Sequence, residues 1–196
     1  MKRSELLELH YIAPITNVPS ILRRGILSHK RAARIGHESV AMQEIQERRA
    51  KVVIPKGKPL HEYANLYICA RNVMLYKRRG GHHDICVLSV STEVLDLPGV
   101  IVTDGNASSD YVRFAPAPHG LAIVDRALTF AEYWTDDDPI QYYRKKSARC
   151  AEVLVPGSVD PKFLNGVCVS CQESLARMQE LGIDLQIRVD PHLFFL

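Results

Sequence analysis

Apolar and polar positions along the chain change period several times, and each change predicts an element. The run Leu9-His10-Tyr11-Ile12-Ala13 reads as a short strand, and Asn17, Pro19 and Gly25 then punctuate a short helix over Ser20 to Arg24. Ser39 is placed to cap a second helix through Ala41, Ile45 and Arg48, whose thin apolar face suits a surface or a cleft wall. Pro55, Gly57 and Pro59 mark a loop. Short β-prone runs follow at Leu66 to Cys69, Ile85 to Val90 and Val100 to Thr103, with a turn at Leu97-Pro98-Gly99. A helix is expected from about Arg126 to Trp134, ended by Asp136 to Asp138 and Pro139. Strands at Ala151 to Val155, Val167 to Ser170 and Asp184 to Val189 complete the pattern, with a helix over Gln172 to Leu181 between the last two. Strands outnumber helices and mostly follow one another without helical crossovers, so the pattern predicts an α+β fold with a largely antiparallel sheet. No repeat or linker divides the 196 residues, and one domain over 1–196 is expected.

Composition narrows this picture in three respects. No apolar run approaches the roughly 18 residues of a membrane span, and Met1 to Glu8 is too charged for a signal peptide, so a cytoplasmic protein without a membrane partner is expected. The five cysteines, Cys69, Cys86, Cys150, Cys168 and Cys171, are an odd number scattered in apolar segments, which fits reduced thiols. The net charge of +3 decides nothing by its size, but basic clusters stand at Arg23-Arg24, Lys30-Arg31, Arg48-Arg49-Lys51, Lys77-Arg78-Arg79 and Arg144-Lys145-Lys146. Each is either solvated surface or a contact for an acidic partner.

Several chemistries are absent from the sequence. Neither G-x-G-x-x-G nor G-x-x-x-x-G-K-[ST] occurs, so a dinucleotide would have to bind through another architecture. Cys168-x-x-Cys171 has zinc-like spacing but no second pair, and His82-His83-Asp84 behind Gly80-Gly81 reads as an exposed loop, so no metal is expected. The residue that stands out is Glu152, a lone carboxylate in Cys150-Ala151-Glu152-Val153-Leu154-Val155-Pro156. Period-two alternation puts Glu152 and Leu154 on one face and Ala151, Val153 and Val155 on the other. Glu152 is then either a strand-edge glutamate paired with a lysine or a carboxylate held rigidly toward a cleft.

A family resemblance weighs on that choice. Leu9 to Ile12 with Ile15 to Ser28 is similar to the opening strand and helix of the DarT family of bacterial DNA ADP-ribosyltransferase toxins. The resemblance continues, in order, through Ile45 to Arg49, Pro59 to Tyr67, Ala70 to Tyr76, Val102 to Ala107, Tyr133-Trp134 and Ala151 to Pro156. It implies an ADP-ribosyltransferase-like split mixed α/β core that holds NAD, as co-substrate, across its cleft. It implies ADP-ribose transfer to a base of single-stranded DNA, and a cognate antitoxin ADP-ribosylglycohydrolase that removes the mark.

The same resemblance assigns residues. Glu152 is expected to stabilise the ribosyl oxocarbenium transition state, and Arg49, preferred over Arg48, to be the second catalytic residue. His10, Tyr11, Ile12, Asn17, Leu22, Arg48 and Tyr67 are expected to hold NAD. Arg71, Met74, Asn106, Tyr142, Tyr143, Arg144 and Lys145 are expected against DNA, the last four in a substrate-recognition loop over Trp134 to Arg149. Two departures from the family pattern stand out: Tyr11-Ile12-Ala13-Pro14 where many relatives have His-Ile-Thr-His, and Glu62-Tyr63-Ala64-Asn65 where they have Asp-Tyr-Val-Pro. They point toward guanine, ahead of thymine, as the modified base. The competing expectations are an ADP-ribosyltransferase acting on RNA or protein, and a catalytically silent nucleic-acid-binding module.

Overall fold

A computed structural model describes residues 1–196. In chain order the elements are β1 (Leu9–Pro14), α1 (Val18–Arg24), β2 (Ile26–Leu27), α2 (His29–Ala32), α3 (Gln43–Ala50), β3 (Tyr63–Tyr67), α4 (Val73–Lys77), β4 (Ile85–Val90), β5 (Ile101–Thr103), β6 (Phe114–Pro116), α5 (Arg126–Thr129), α6 (Pro139–Ala148), β7 (Glu152–Pro156), β8 (Ser158–Val159), β9 (Leu164–Val169), α7 (Gln172–Glu180) and β10 (Gln186–Val189). Eight strands form one sheet in the order β10-β9-β4-β1-β3-β7-β5-β6, while β2 and β8 form a separate pair. Every pairing is antiparallel except β9 with β10, so the α+β expectation holds. No helix is long and apolar enough to cross a membrane.

The two faces of this sheet are packed differently, and that difference creates the cleft. One face is continuous: Leu9 and Ala13 of β1, Cys86, Leu88 and Val90 of β4, and Val153 and Val155 of β7 join a core of 28 buried residues. The opposite face carries two smaller clusters. Ile12, Ile85, Val87 and Cys168 pack with Leu75 and Phe194 in one of 7 residues, and Tyr63, Leu154, Ile54, Leu60 and Ala107 form another of 5. Strand pairing explains why they do not merge. β1 pairs with β4 along its whole length, from Leu9↔Val90 to Pro14↔Ile85, but meets β3 at one position only, His10↔Tyr67. Past that bridge the two central strands splay apart.

Local sequence accounts for the element ends. α1 carries Pro19 in its first turn and stops at Gly25, whose φ of 82° is open to glycine at little cost. Asn72 caps α4 by accepting from the N–H groups of Met74 and Leu75 at 3.0 Å each.

Four expectations are corrected. Asp136 to Asp138 and Pro139 do not end a long helix: α5 stops at Thr129, and Asp138, accepting from the Ile140 N–H at 2.8 Å, caps the new helix α6 with Pro139 in its first turn. Most of the expected recognition loop over Trp134 to Arg149 is therefore helical. Ser39 accepts only from the Ala41 N–H, and α3 begins later, at Gln43. The strand expected at Leu66 to Cys69 runs instead from Tyr63 to Tyr67, and β2, β6 and β8 are too short to show a period.

Candidate active site

The cleft opens where β1 and β3 part. Tyr11, Ile12 and Pro14 line it from β1, Tyr63, Asn65 and Tyr67 from β3, and Met42, Ile45, Gln46 and Arg49 from α3 and its approach, around about 1080 Å³ of empty space that includes open solvent. Residues 37–41 form a further wall, and Asn17, Met74 and Asn106 reach in from the ends.

At its floor lies an ion pair. Arg49 Nη1 donates to Glu152 Oε1 at 2.9 Å and Nη2 to Oε2 at 3.0 Å, a two-pronged bridge between side chains 103 residues apart in the chain. Arg49 is 6% exposed and Glu152 fully buried. Glu152 is fixed further: its Oε1 accepts from the Ala107 N–H at 3.3 Å, and its own N–H donates to Thr103 Oγ1 at 3.0 Å. The Thr103 hydroxyl spends its proton on the Gly105 carbonyl at 2.7 Å, which leaves its oxygen free to accept. A Cβ at Gly105 would press on Ser147 Oγ on α6, so a larger residue there would have to displace that side chain.

The sequence alternatives for Glu152 are thereby resolved in geometry. Alternation put it on the Leu154 face correctly, but it does not line the cleft: Arg49 lies between the carboxylate and the open space, and the partner is an arginine, not a lysine. Burial works against the Arg49 charge and the Glu152 carboxylate outweighs it, so the guanidinium holds its proton more firmly than an ordinary arginine. Arg49 consequently serves here as a fixed cation. Beside the pair, burial and then the Glu152 charge push the Tyr67 phenol upward, keeping it neutral and a donor.

Other expected residues divide clearly. Tyr11, Ile12, Asn17, Tyr67, Met74 and Asn106 line the cleft with Arg49. Asn17 also braces the cleft wall, exchanging hydrogen bonds with the Glu38 backbone at 2.7 and 3.2 Å. His10, Leu22 and Arg48 do not line it. His10 sits at the bridge to Tyr67, 3.9 Å from Glu8, Leu22 packs against the large core, and Arg48 is exposed.

On the expected DNA side, Tyr142, Tyr143, Arg144 and Lys145 all ride on α6. Tyr143 is exposed, and the Lys146 ammonium lies 5.2 and 5.8 Å from the Tyr142 and Tyr143 ring centres. Lys145 is tied to Asp136 at 2.6 Å, which braces the start of α6. Arg71 stacks over Phe195 at 4.0 Å and donates to the His192 carbonyl at 3.0 Å, so it holds the last turn of the chain.

Two cleft residues lie outside the sequence-based expectations. His29 and His61 stack with ring centres 4.1 Å apart, and burial lowers both, followed by His37 and Arg49 for His29 and by His29 and Arg49 for His61. The buried His61 Nε2 has no partner in the protein. Only the family segment Pro59 to Tyr67 hinted at His61; nothing in spacing joins it to His29, because the pairing arises from the packing of α2 against the turn before β3.

Comparison with known proteins places this geometry. Residues 10–195 match the family model described as "ssDNA thymidine ADP-ribosyltransferase, DarT". A DNA ADP-ribosyl transferase–DNA ADP-ribosyl glycohydrolase fusion protein of Thermosipho africanus is 33% identical over 200 residues, covering 96% of this chain and 50% of the relative. The chain therefore spans about half the length of that relative. The solved structure of Thermosipho africanus DarTG in complex with ADP-ribose is similar with a TM-score of 0.84 at 30% identity, over 97% of this chain and 51% of the other. That of Thermus sp. 2.9 DarT in complex with ADP-ribosylated ssDNA is similar with a TM-score of 0.81 at 26% identity, over 98% and 99%.

Proposed function

The chain belongs to the DarT family, and on that premise we propose that it transfers ADP-ribose from NAD to a base of single-stranded DNA, releasing nicotinamide. The observation that carries this reading is the buried Arg49–Glu152 bridge on the floor of a cleft opened by a split sheet. The ADP-ribose and ADP-ribosylated DNA in the two related structures support it.

In the proposed reaction the bond from nicotinamide to the ribose C1′ breaks and positive charge develops on the ribose. The Glu152 carboxylate, immobilised by Arg49, Ala107 and Thr103, offers a fixed negative charge that needs no reorganisation to meet it. A nitrogen of the base then bonds to C1′ as the nicotinamide bond breaks, and its proton passes to solvent in the open cleft. Two of the five N–H donors of Arg49 are engaged by Glu152, and the remainder have no protein partner, so the same cation serves a diphosphate or the acceptor base. No step requires a metal, and a chelator is expected to leave the transfer rate unchanged.

Guanine stays the favoured base on the departures at Tyr11 to Pro14 and Glu62 to Asn65. The family description, which names thymidine, favours thymine as the second reading. We take the 196 residues to act as one transferase domain in the cytoplasm, as the toxin of a pair whose antitoxin is an ADP-ribosylglycohydrolase; the fused glycohydrolase in the Thermosipho relative supports that partner. Mass spectrometry of oligonucleotides of each base composition, single-stranded and annealed, after incubation with the chain and NAD tests the proposal. Adducts on guanine-containing single strands are expected; labelling of RNA or protein in preference to DNA would overturn it.

A further inference from the structure

Away from the cleft, the fold gathers a second group of side chains that chemistry would not leave idle. His82, His83 and Cys171 each offer a ligand atom within 4.8 Å of the others, though His83 and Cys171 are 88 residues apart in the chain. The histidines belong to the turn before β4, and Cys171 stands at the N-cap of α7, straight after β9. None of them lines the cleft. Spacing alone predicts no metal here, because neither Cys168-x-x-Cys171 nor His82-His83 has partners nearby in sequence. In the fold the cysteines separate, Cys168 turning into the core, and the histidines become the partners of Cys171.

We propose that His82, His83 and Cys171 bind a zinc-class divalent cation. A thiolate and two imidazoles are a donor set that favours Zn²⁺ over Mg²⁺ or Ca²⁺. With zinc–sulfur and zinc–nitrogen bonds of about 2.3 and about 2.1 Å, two ligand atoms on a tetrahedral edge stand about 3.6 Å apart. Cys171 Sγ is 3.6 Å from His83 Nδ1. Glu173 Oε2 lies at the same 3.6 Å from that nitrogen, within reach of the fourth position.

The surroundings prepare the donors. Ser170 Oγ donates its one proton to the His82 carbonyl at 3.1 Å, so toward His82 Nδ1, 2.8 Å away, it can only accept. The His82 proton therefore sits on Nδ1 and the Nε2 lone pair is left for a metal, an arrangement in which a hydroxyl orients a ligating imidazole from behind. The rings of His82 and His83 lie 3.7 Å apart, so both imidazoles stand on the same side of the turn. Ser174 Oγ, which donates to the His83 carbonyl at 2.9 Å, lies 3.3 Å from Cys171 Sγ and ties the His83 turn to the start of α7. Arg177 donates to the His83 carbonyl at 3.1 Å and to Asp84 at 2.6 Å, holding the turn against α7 before any ion arrives. A bound cation would staple the two segments, adding stability rather than chemistry.

The test uses the untagged full chain, stripped with a chelator and titrated with Zn²⁺ alone by calorimetry and with Co²⁺ alone by absorbance. One equivalent of Zn²⁺ and a thiolate-to-cobalt charge-transfer band are expected. Cys171→Ser should abolish the band, and Ser170→Ala should weaken Zn²⁺ binding about 10- to 100-fold by releasing the His82 ring. Should Cys171→Ser not fold, the wild-type band decides alone, because the other four cysteines are buried. Absence of the band in the wild-type chain, or Zn²⁺ affinity indifferent to both substitutions, would overturn the site.

Discussion

At the scale of single residues, the Arg49–Glu152 bridge ties the proposed catalysis to stability, so substitutions there report on both. Glu152→Gln keeps the shape of the side chain while removing its charge, and transfer is expected to fall at least ~100-fold, the loss typical of a preorganised electrostatic group. A folded variant with near-normal turnover would remove Glu152 from the chemistry. Stability should respond asymmetrically. Arg49→Ala strands a carboxylate that is 0% exposed, a change that costs about 3–5 kcal/mol, whereas Arg49, at the cleft floor, can turn its charge to water when Glu152 is replaced. Denaturant midpoints should therefore fall further for Arg49→Ala than for Glu152→Gln, and the double variant should recover part of the Arg49→Ala deficit; strictly additive effects would refute the coupling. His10 gives a second residue-scale expectation. Burial, opposed by Glu8 and aided by Arg188, holds its imidazole at about 4 in the folded chain, below the ordinary 6.5. The unfolded chain thus binds the extra proton first, and the contribution of His10 to stability is present above about 6.5 and is lost as pH falls toward 4. Melting temperatures between these limits should drop less steeply in His10→Gln than in the parent. Glu152 was legible as a lone carboxylate in an apolar strand because period-two alternation is a local signal. That an arginine on a surface-like helix would cover it was not, since the 103-residue separation leaves no trace in spacing.

At the scale of elements, α6 is where expectation and structure differ most usefully. Asp138 and Pro139 read as the stop of one helix, yet an N-cap aspartate followed by proline in the first turn starts another. The tyrosines and basic residues expected in a loop thereby gain fixed positions along a helix. Arg144 is exposed and without an ion-pair partner, and Lys146 lies beside two tyrosine rings, while Lys145 is committed to Asp136. Charge reversal at Arg144 and Lys146 is expected to weaken single-stranded DNA binding alike for all sequences. It should also flatten the salt dependence by about 0.7 in log–log slope for each phosphate that is no longer neutralised, read by binding titrations at several salt concentrations. A change in the modified base would instead assign these residues to base reading. Lys145→Ala should act differently, loosening the segment before α6 with little effect on that slope. Strand elements were legible where they were long and apolar, as in β4 and β7. The two-residue strands β2 and β8 fall below any period, and the end of α5 at Thr129 is set by tertiary packing, Arg149 donating to the Thr129 carbonyl at 3.0 Å.

On the scale of the whole molecule, a continuous core backs one face of the sheet and a divided one the other, so the two halves of the sheet share a single bridge on the cleft side. A ligand that touches both halves should stabilise the fold well beyond its own immediate surroundings. At about 100-fold its Kd, a non-reactive NAD analogue is expected to add ~2.7 kcal/mol, or roughly 5 to 10 °C in melting temperature for a chain of this size. No shift at saturation would mean that the cleft is not the binding place. The fold class was readable from strand succession, but the split itself was not, because it depends on one pairing that stops at His10↔Tyr67 rather than on any residue type. That early stop has a further consequence. A sheet normally exposes two edges, and this one has four, for β1 beyond His10 and β3 before Tyr67 each turn unpaired main-chain groups toward the gap. Such edges invite pairing with a stray strand, and the chain shields them with α3 and the 37–42 segment laid along the opening. The opening proposed to admit a substrate is therefore also the place where this molecule has to be protected from its own kind.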